Sequence, residues 1–252
     1  MSDRPPVRVI GSYLSPYVRK VLAVLELKGL RYEIDPIVPF MGDDRFTALS
    51  PLRRVPVLLD DRVTLADSSV ICQYLDDRYP VPAIYPADVA ERAQARWLEE
   101  YADSRMGDVF IWGLFDHAVI APAVWGTPRD LAAIDRITSS EIPPVFDYLE
   151  AQLPATGFLF GAPGIADISI AVFLRNAAFA RYRVDVARWP LTSAFVDRVL
   201  AQPCLTRLQP FEMLMLRTPI PEQRAALLAA GAPVTEETVG GLVPRRGAMR
   251  IS

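Results

Sequence analysis

Residues 7–37 hold a strand, a helix and a strand in close succession, and this run constrains the fold more than any other feature. Residues 7–13, VRVIGSY, are rich in β-branched side chains and predict a short strand. Ser15-Pro16 and then YVRKVLAVLELKG follow. Proline suits the first helical position, because the N–H it lacks would have no partner there. Ser15 is then the N-cap and Gly29 the C-terminal stop. Val18, Val21, Leu22 and Leu25 recur at helical spacing. Residues 31–37, RYEIDPI, predict the second strand. Together these elements make a βαβ unit.

A loop with a short helix near Asp43–Leu49 comes next, followed by two apolar runs, 55–59 and 63–65. The acidic pair Asp60-Asp61 separates them, which predicts a β-hairpin. Residues 67–79 predict a helix capped by Asp67 and stopped by Pro80. The order βαβ then ββα is that of a thioredoxin-like α/β domain, placed at residues 1–84. A linker at 85–91 leads to an all-α domain at 92–218, with helices expected at 88–118, 128–152, 164–181, 190–201 and 204–216. The extension 219–252 is rich in Pro and Gly and is expected to carry one short helix, 222–230.

Composition narrows the chemistry. With 51% apolar and 23% charged residues, the chain has a globular make-up. A net charge of -3 gives no basic surface for nucleic acid. One histidine, His117, and two cysteines, Cys72 and Cys204, make a metal site an unsupported expectation. The thiols suit a reducing, cytoplasmic setting. No signal peptide and no membrane span are read from the sequence.

Four segments carry a family resemblance. They are Ser15-Pro-Tyr-Val-Arg-Lys-Val21, Ser50-Pro-Leu-Arg-Arg-Val-Pro-Val-Leu58, Leu65-Ala-Asp-Ser-Ser-Val-Ile71 and Phe160-Gly-Ala-Pro-Gly-Ile-Ala-Asp167. In this order and at these spacings the chain resembles the two-domain glutathione transferases, nearest in tone to the theta-like and bacterial serine-type classes. Residues 100–130 and those beyond about 217 carry none of the resemblance.

The resemblance implies a site for glutathione as co-substrate, with no metal. Ser15 would donate its hydroxyl to the glutathione sulfur. A free thiol has a pKa of about 8.5, and a donor to the anion lowers it. Tyr13, six residues before Arg19, is the rival hydroxyl, at the spacing of the tyrosine-type classes. Val55-Pro56 matches the family's cis-proline, whose preceding residue would pair with the cysteinyl backbone of glutathione. Asp67 and Ser68 would hold the γ-glutamyl end, Asp67 standing where the family usually has Glu. Arg54 would meet the glycine carboxylate, Arg53 being the weaker candidate. Ser50 replaces the usual Asn. Asp167 matches a structural capping aspartate whose usual Ser or Thr partner is here Gly164.

The activity this implies is attack of the activated thiol on a small hydrophobic electrophile, as in detoxification. Alternatives are a non-catalytic binding or scaffold protein and a glutathione-dependent disulfide reductase, lyase or isomerase. The absence of Cys near position 15 disfavours a mixed-disulfide mechanism. A homodimer is expected, and residues 222–230 are expected to fold back as a lid on the acceptor pocket.

Overall fold

The computed structural model describes residues 5–247. The chain divides into two compact units. One comprises the residues up to Pro82 together with those from Arg207 onward, and the other is Ala83–Thr206. The helical stretch grouped by sequence as 92–218 is therefore shared between them.

The first unit begins with β1 (Val7–Ile10), α1 (Pro16–Leu27), β2 (Tyr32–Asp35), α2 (Asp44–Leu49), β3 (Val57–Leu59), β4 (Thr64–Ala66) and α3 (Ser68–Arg78). The sheet order is β2-β1-β3-β4. The helical crossover returns β2 parallel to β1, as a βαβ connection requires, while β3 runs antiparallel to both β1 and β4. Asp60 makes the β3–β4 turn tight by accepting from Arg62 N at 2.8 Å and Val63 N at 2.9 Å. This is the thioredoxin-like arrangement.

α1 follows the sequence pattern closely. Val18, Val21, Leu22, Val24 and Leu25 are all fully buried. Removing each such side chain from water stabilises the fold by about 1.5–3 kcal/mol. At the helix's end Lys28 Nζ donates to Asp76 Oδ1 at 2.7 Å, Tyr79 O at 2.7 Å and Pro82 O at 2.6 Å. A cation facing the last carbonyls of α3 also complements that helix's dipole.

The second unit is helical. α4 (Val89–Tyr101) continues through a π-helical stretch, Ala102–Ile120, into α5 (Ala121–Trp125). The helix expected to end at 118 thus runs on to the stop at Gly126. Val89–Trp125 is long and apolar enough, by length and composition alone, to cross a membrane. Leu98, Ala102, Met106, Val109, Phe110 and Leu114 are nevertheless buried, and the helix packs along α8 (Ile165–Phe179). α6 (Leu131–Arg136) passes through a π-helical turn into α7 (Ile142–Gln152), and α9 (Pro190–Leu200) and α10 (Pro203–Thr206) complete the unit. Phe146 gathers an aromatic centre, with Trp189 at 4.9 Å and Phe110 at 5.7 Å between ring centroids.

Asp167 ties the start of α8 together, accepting from Leu159 N and Gly164 N, each at 2.9 Å. A Cβ at position 164 would lie 2.9 Å from Ile84 O, so no side chain fits there. The missing Ser or Thr is a consequence of this close backbone approach, and Asp167 carries the cap alone.

The chain then rejoins the first unit. Residues expected as one helix, 204–216, break before α11 (Gln209–Arg217), where Pro210 sits in the first turn. Glu212 on α11 forms a 2.8 Å ion pair with Arg19, both side chains fully buried. α12 (Ile220–Ala229) coincides with the expected short helix. Beyond it the chain is fastened along β2: Ile34 N donates to Pro233 O at 2.8 Å and Thr235 N to Ile34 O at 3.0 Å. The extension is thus built into the sheet edge.

Candidate functional site

The register of the sheet assembles the site. Ile10 pairs with Val57, and Val57 pairs with Ala66. The next residues outward are therefore Gly11, Pro56 and Asp67, abreast at one end of the sheet. Three segments distant in sequence, 11–15, 50–56 and 67–70, leave the sheet side by side.

Gly11 makes the first segment possible. Its φ is +147°, which disfavours any side chain. A Cβ there would lie 2.4 Å from Val18 Cγ2 and 3.1 Å from Val55 Cβ. Only glycine lets the β1–α1 turn lie against Val55. Ser12 then organises the turn, its Oγ accepting from Leu14 N at 3.1 Å and its carbonyl from Ser15 N at 3.0 Å. Sequence reasoning passed over Ser12, since nothing in its local pattern separates it from any loop serine.

Ser15 is the N-cap of α1, half-buried, with Oγ accepting from Val18 N at 3.4 Å. That long bond uses an oxygen lone pair and leaves the hydroxyl proton available to a further acceptor. The N-terminal end of the helix favours negative charge beside it. Tyr13 is placed differently. It is 0% exposed and packs on Phe211 at 5.3 Å, and its hydroxyl is buried without a hydrogen-bond partner. Burial pushes its pKa up, with only partial relief from the Tyr32 hydroxyl nearby.

In the second segment the Val55–Pro56 peptide is cis. Among the described residues, neither the N–H nor the C=O of Val55 makes a hydrogen bond. A half-buried backbone pair with no partner can accept an added extended peptide. Ser50 fixes this segment, its Oγ accepting from Arg54 N and donating to Arg54 O, both at 2.9 Å. The two arginines separate cleanly. Arg53, at φ +52°, turns its guanidinium onto Thr47 Oγ1 at 2.5 Å, Gly42 O at 2.8 Å and Pro39 O at 3.3 Å. Arg54 is exposed, and its guanidinium has no partner among the described residues.

In the third segment Asp67 caps α3, its Oδ1 accepting from Ser69 N at 2.9 Å and Val70 N at 3.0 Å. Its Oδ2 has no partner among the described residues, and the side chain is exposed. Ser68 is buried at the first position of the helix. Beneath this turn the fully buried Lys20 donates from Nζ to Ser69 Oγ at 3.0 Å. Neither Lys20 nor Ser69 stood out in the sequence, because the contact joins two helices.

The end of the sheet therefore presents an unpaired backbone edge, a hydroxyl at one helix N-terminus, a carboxylate oxygen at another and a free guanidinium. That set complements a short zwitterionic peptide with terminal carboxylates. Among the described residues no cluster of His, Cys, Asp or Glu suits a metal ion.

Comparison with known proteins agrees. The family model described as glutathione S-transferase, N-terminal domain, matches residues 9–83. Glutathione S-transferase U13 of Arabidopsis thaliana is 34% identical over 109 residues, 42% of this chain and 48% of that protein, so the match spans about half of the relative. The probable glutathione S-transferase GSTU6 of Oryza sativa subsp. japonica is 27% identical over 216 residues, 80% of this chain and 87% of that protein. The crystal structure of a glutathione S-transferase from Rhodospirillum rubrum F11 superposes with a TM-score of 0.73 at 26% identity, covering 80% of this chain and 91% of that one. The matched domain, the near-full-length relatives and the solved structure agree in supporting a glutathione S-transferase family protein.

Proposed function

We propose that the protein is a glutathione transferase that binds glutathione across the end of the sheet and presents its thiolate to a small hydrophobic electrophile. The observation that carries this is the unpaired backbone of Val55, one residue beyond Pro56, which lies in register between Gly11 and Asp67. The cysteinyl N–H and C=O of glutathione would add to Val55 like one more strand residue. The γ-glutamyl carboxylate would meet the N-terminus of α3 at Ser68, and its ammonium the free Oδ2 of Asp67. The glycine carboxylate would pair with Arg54, in the two-pronged geometry guanidinium allows.

In the chemical step, the Ser15 hydroxyl donates to the sulfur and holds it as thiolate. The sulfur lone pair attacks the electrophilic carbon, a C–S bond forms, and the leaving group departs with its electron pair. The proton lost from the thiol has already passed to solvent. Two observations support Ser15 over Tyr13. Tyr13 is fully buried with its ring packed on Phe211, and its proton is held more tightly than that of an ordinary tyrosine. A mixed disulfide on a protein cysteine gains no support, since Cys72 and Cys204 are both buried. A homodimer and a cytoplasmic setting belong to the same proposal.

Calorimetry tests the binding part. The intact protein should bind glutathione, and Asp67→Ala should bind it at least about tenfold more weakly, the loss of one charged contact. Affinity unchanged by Asp67→Ala would remove the γ-glutamyl assignment.

A further inference from the structure

We propose that the C-terminal residues 233–247 form a strap that sets the glycine-binding end of the site; this rests on the glutathione-binding reading above. The strap lies outside the residues 9–83 matched by the family model. It begins by closing the free edge of β2, where Val234 lies parallel to Ile34. A cover for an exposed edge strand could stop there. The chain goes on instead. Asp35, the last residue of β2, is 2% exposed and receives the strap on both oxygens. Its Oδ1 accepts from Thr238 Oγ1 at 2.8 Å and Arg224 Nη1 at 3.1 Å, and its Oδ2 from Val239 N at 2.7 Å.

From this latch the strap turns onto the loop that follows β2. Asp43 N donates to Val239 O at 2.8 Å, Gly241 N to Met41 O at 2.5 Å, and Arg245 N to Phe40 O at 2.7 Å. Arg45 donates to Thr238 O at 2.6 Å. The same loop also receives Arg53, at Pro39 O and Gly42 O. Arg53 immediately precedes Arg54 and Val55, the residues assigned to the glycine carboxylate and the cysteinyl backbone. Val239 also packs on the cluster of Ile10, Ile37, Phe46 and Val57, which Val55 joins as well. Residues 39–43 are thus clamped between the strap and Arg53, and the position of Arg54 follows from that of the clamp. Interiors packed this closely transmit a displacement rather than absorb it.

The strap thereby controls one end of the ligand and not the other. The γ-glutamyl end depends on α3 and β4, whereas the hydrogen bonds of the strap described above run to β2 and to the loop and helix that follow it. The test compares two ligands by calorimetry, glutathione and γ-glutamylcysteine, which lacks only the glycine. The proteins are the full chain, Thr238→Val/Val239→Pro, which removes two of the latch donors, and a chain shortened after Gly231. The full chain should prefer glutathione. In both variants that preference should collapse, with glutathione affinity falling about tenfold and γ-glutamylcysteine affinity unchanged. If the shortened chain does not fold, the double variant carries the test. Equal loss for both ligands, or no loss for either, would overturn the strap's role and leave the glutathione reading standing. A full chain that binds both ligands equally would remove Arg54's assignment and the strap's role together. Binding of neither would overturn the glutathione reading itself.

Discussion

Replacing Gly11 by alanine tests how the sheet end is built. The backbone there sits at φ +147°, and the added methyl would meet Val18 Cγ2 at 2.4 Å and Val55 Cβ at 3.1 Å. A sparsely populated backbone angle costs about 1–3 kcal/mol, and forcing a methyl into a packed site adds about 1–3 kcal/mol. Gly11→Ala should therefore lose about 2–6 kcal/mol of stability, a large share of a typical domain's margin of about 5–15 kcal/mol. Denaturant unfolding measures this as a lowered midpoint. The strain has two parts, and Val18→Ala separates them. In the Gly11→Ala background it relieves the side-chain overlap and leaves the backbone strain, so the double variant should be more stable than additivity predicts. Glutathione affinity should fall too, because Val55 is one of the two groups displaced. A Gly11→Ala protein as stable as the parent and binding glutathione normally would refute the packing argument and the placement of Val55.

Asp35 gives a pH prediction. Burial, the dominant effect, leaves its pKa raised despite hydrogen bonds from Val239 and Thr238 and the charge of Arg224. Its stabilising contribution is therefore full below the ordinary carboxylate pKa and falls as pH rises through the raised native value. The stability difference between the parent and Asp35→Asn, from urea unfolding at successive pH values, should shift against the parent over that interval; a flat difference would contradict this. Arg54→Ala should weaken glutathione but not γ-glutamylcysteine, whereas Arg53→Ala should chiefly lower the thermal midpoint, since its guanidinium is spent on Thr47 and backbone carbonyls; calorimetry and melting curves check the pair. Light scattering should give twice the 28.0 kDa chain mass at micromolar concentration, and a mass of 28.0 kDa would rule out the dimer.

The sequence carried the first unit's sheet and α1 well because their signals are local. The Ser15-Pro16 cap, the apolar spacing of α1 and the Asp60-Asp61 hairpin are each legible within a few residues. The helix runs on to Trp125, past the end expected at 118, although its π-helical stretch from Ala102 to Ile120 departs from the 3.6-residue period. The strap was invisible for a different reason. Its binding partner, Asp35, is about 200 residues away in sequence, and a Pro- and Gly-rich segment gives no periodicity to announce pairing. The Arg53–Arg54 distinction was equally hidden, since it depends on Arg53's positive φ and on carbonyls of the 39–42 loop. Gly164 looked like a departure from the family and is instead dictated by Ile84 O.

Activation of the bound thiol by Ser15 is the central claim, and ultraviolet thiolate absorbance of the protein–glutathione complex measures it most directly. In the parent the bound thiol should ionise below the free value of about 8.5. Losing a hydrogen bond to a charged group costs about 1.5–3 kcal/mol, so Ser15→Ala should raise that midpoint by about 1–2 pH units and slow conjugation about 10- to 150-fold. The lost Val18 cap is a separate effect, to be read from unfolding, at about 1 kcal/mol. Tyr13→Phe should leave the midpoint where it is. A midpoint that moves in Tyr13→Phe and stays in Ser15→Ala would contradict the account and reduce Ser15 to a helix cap.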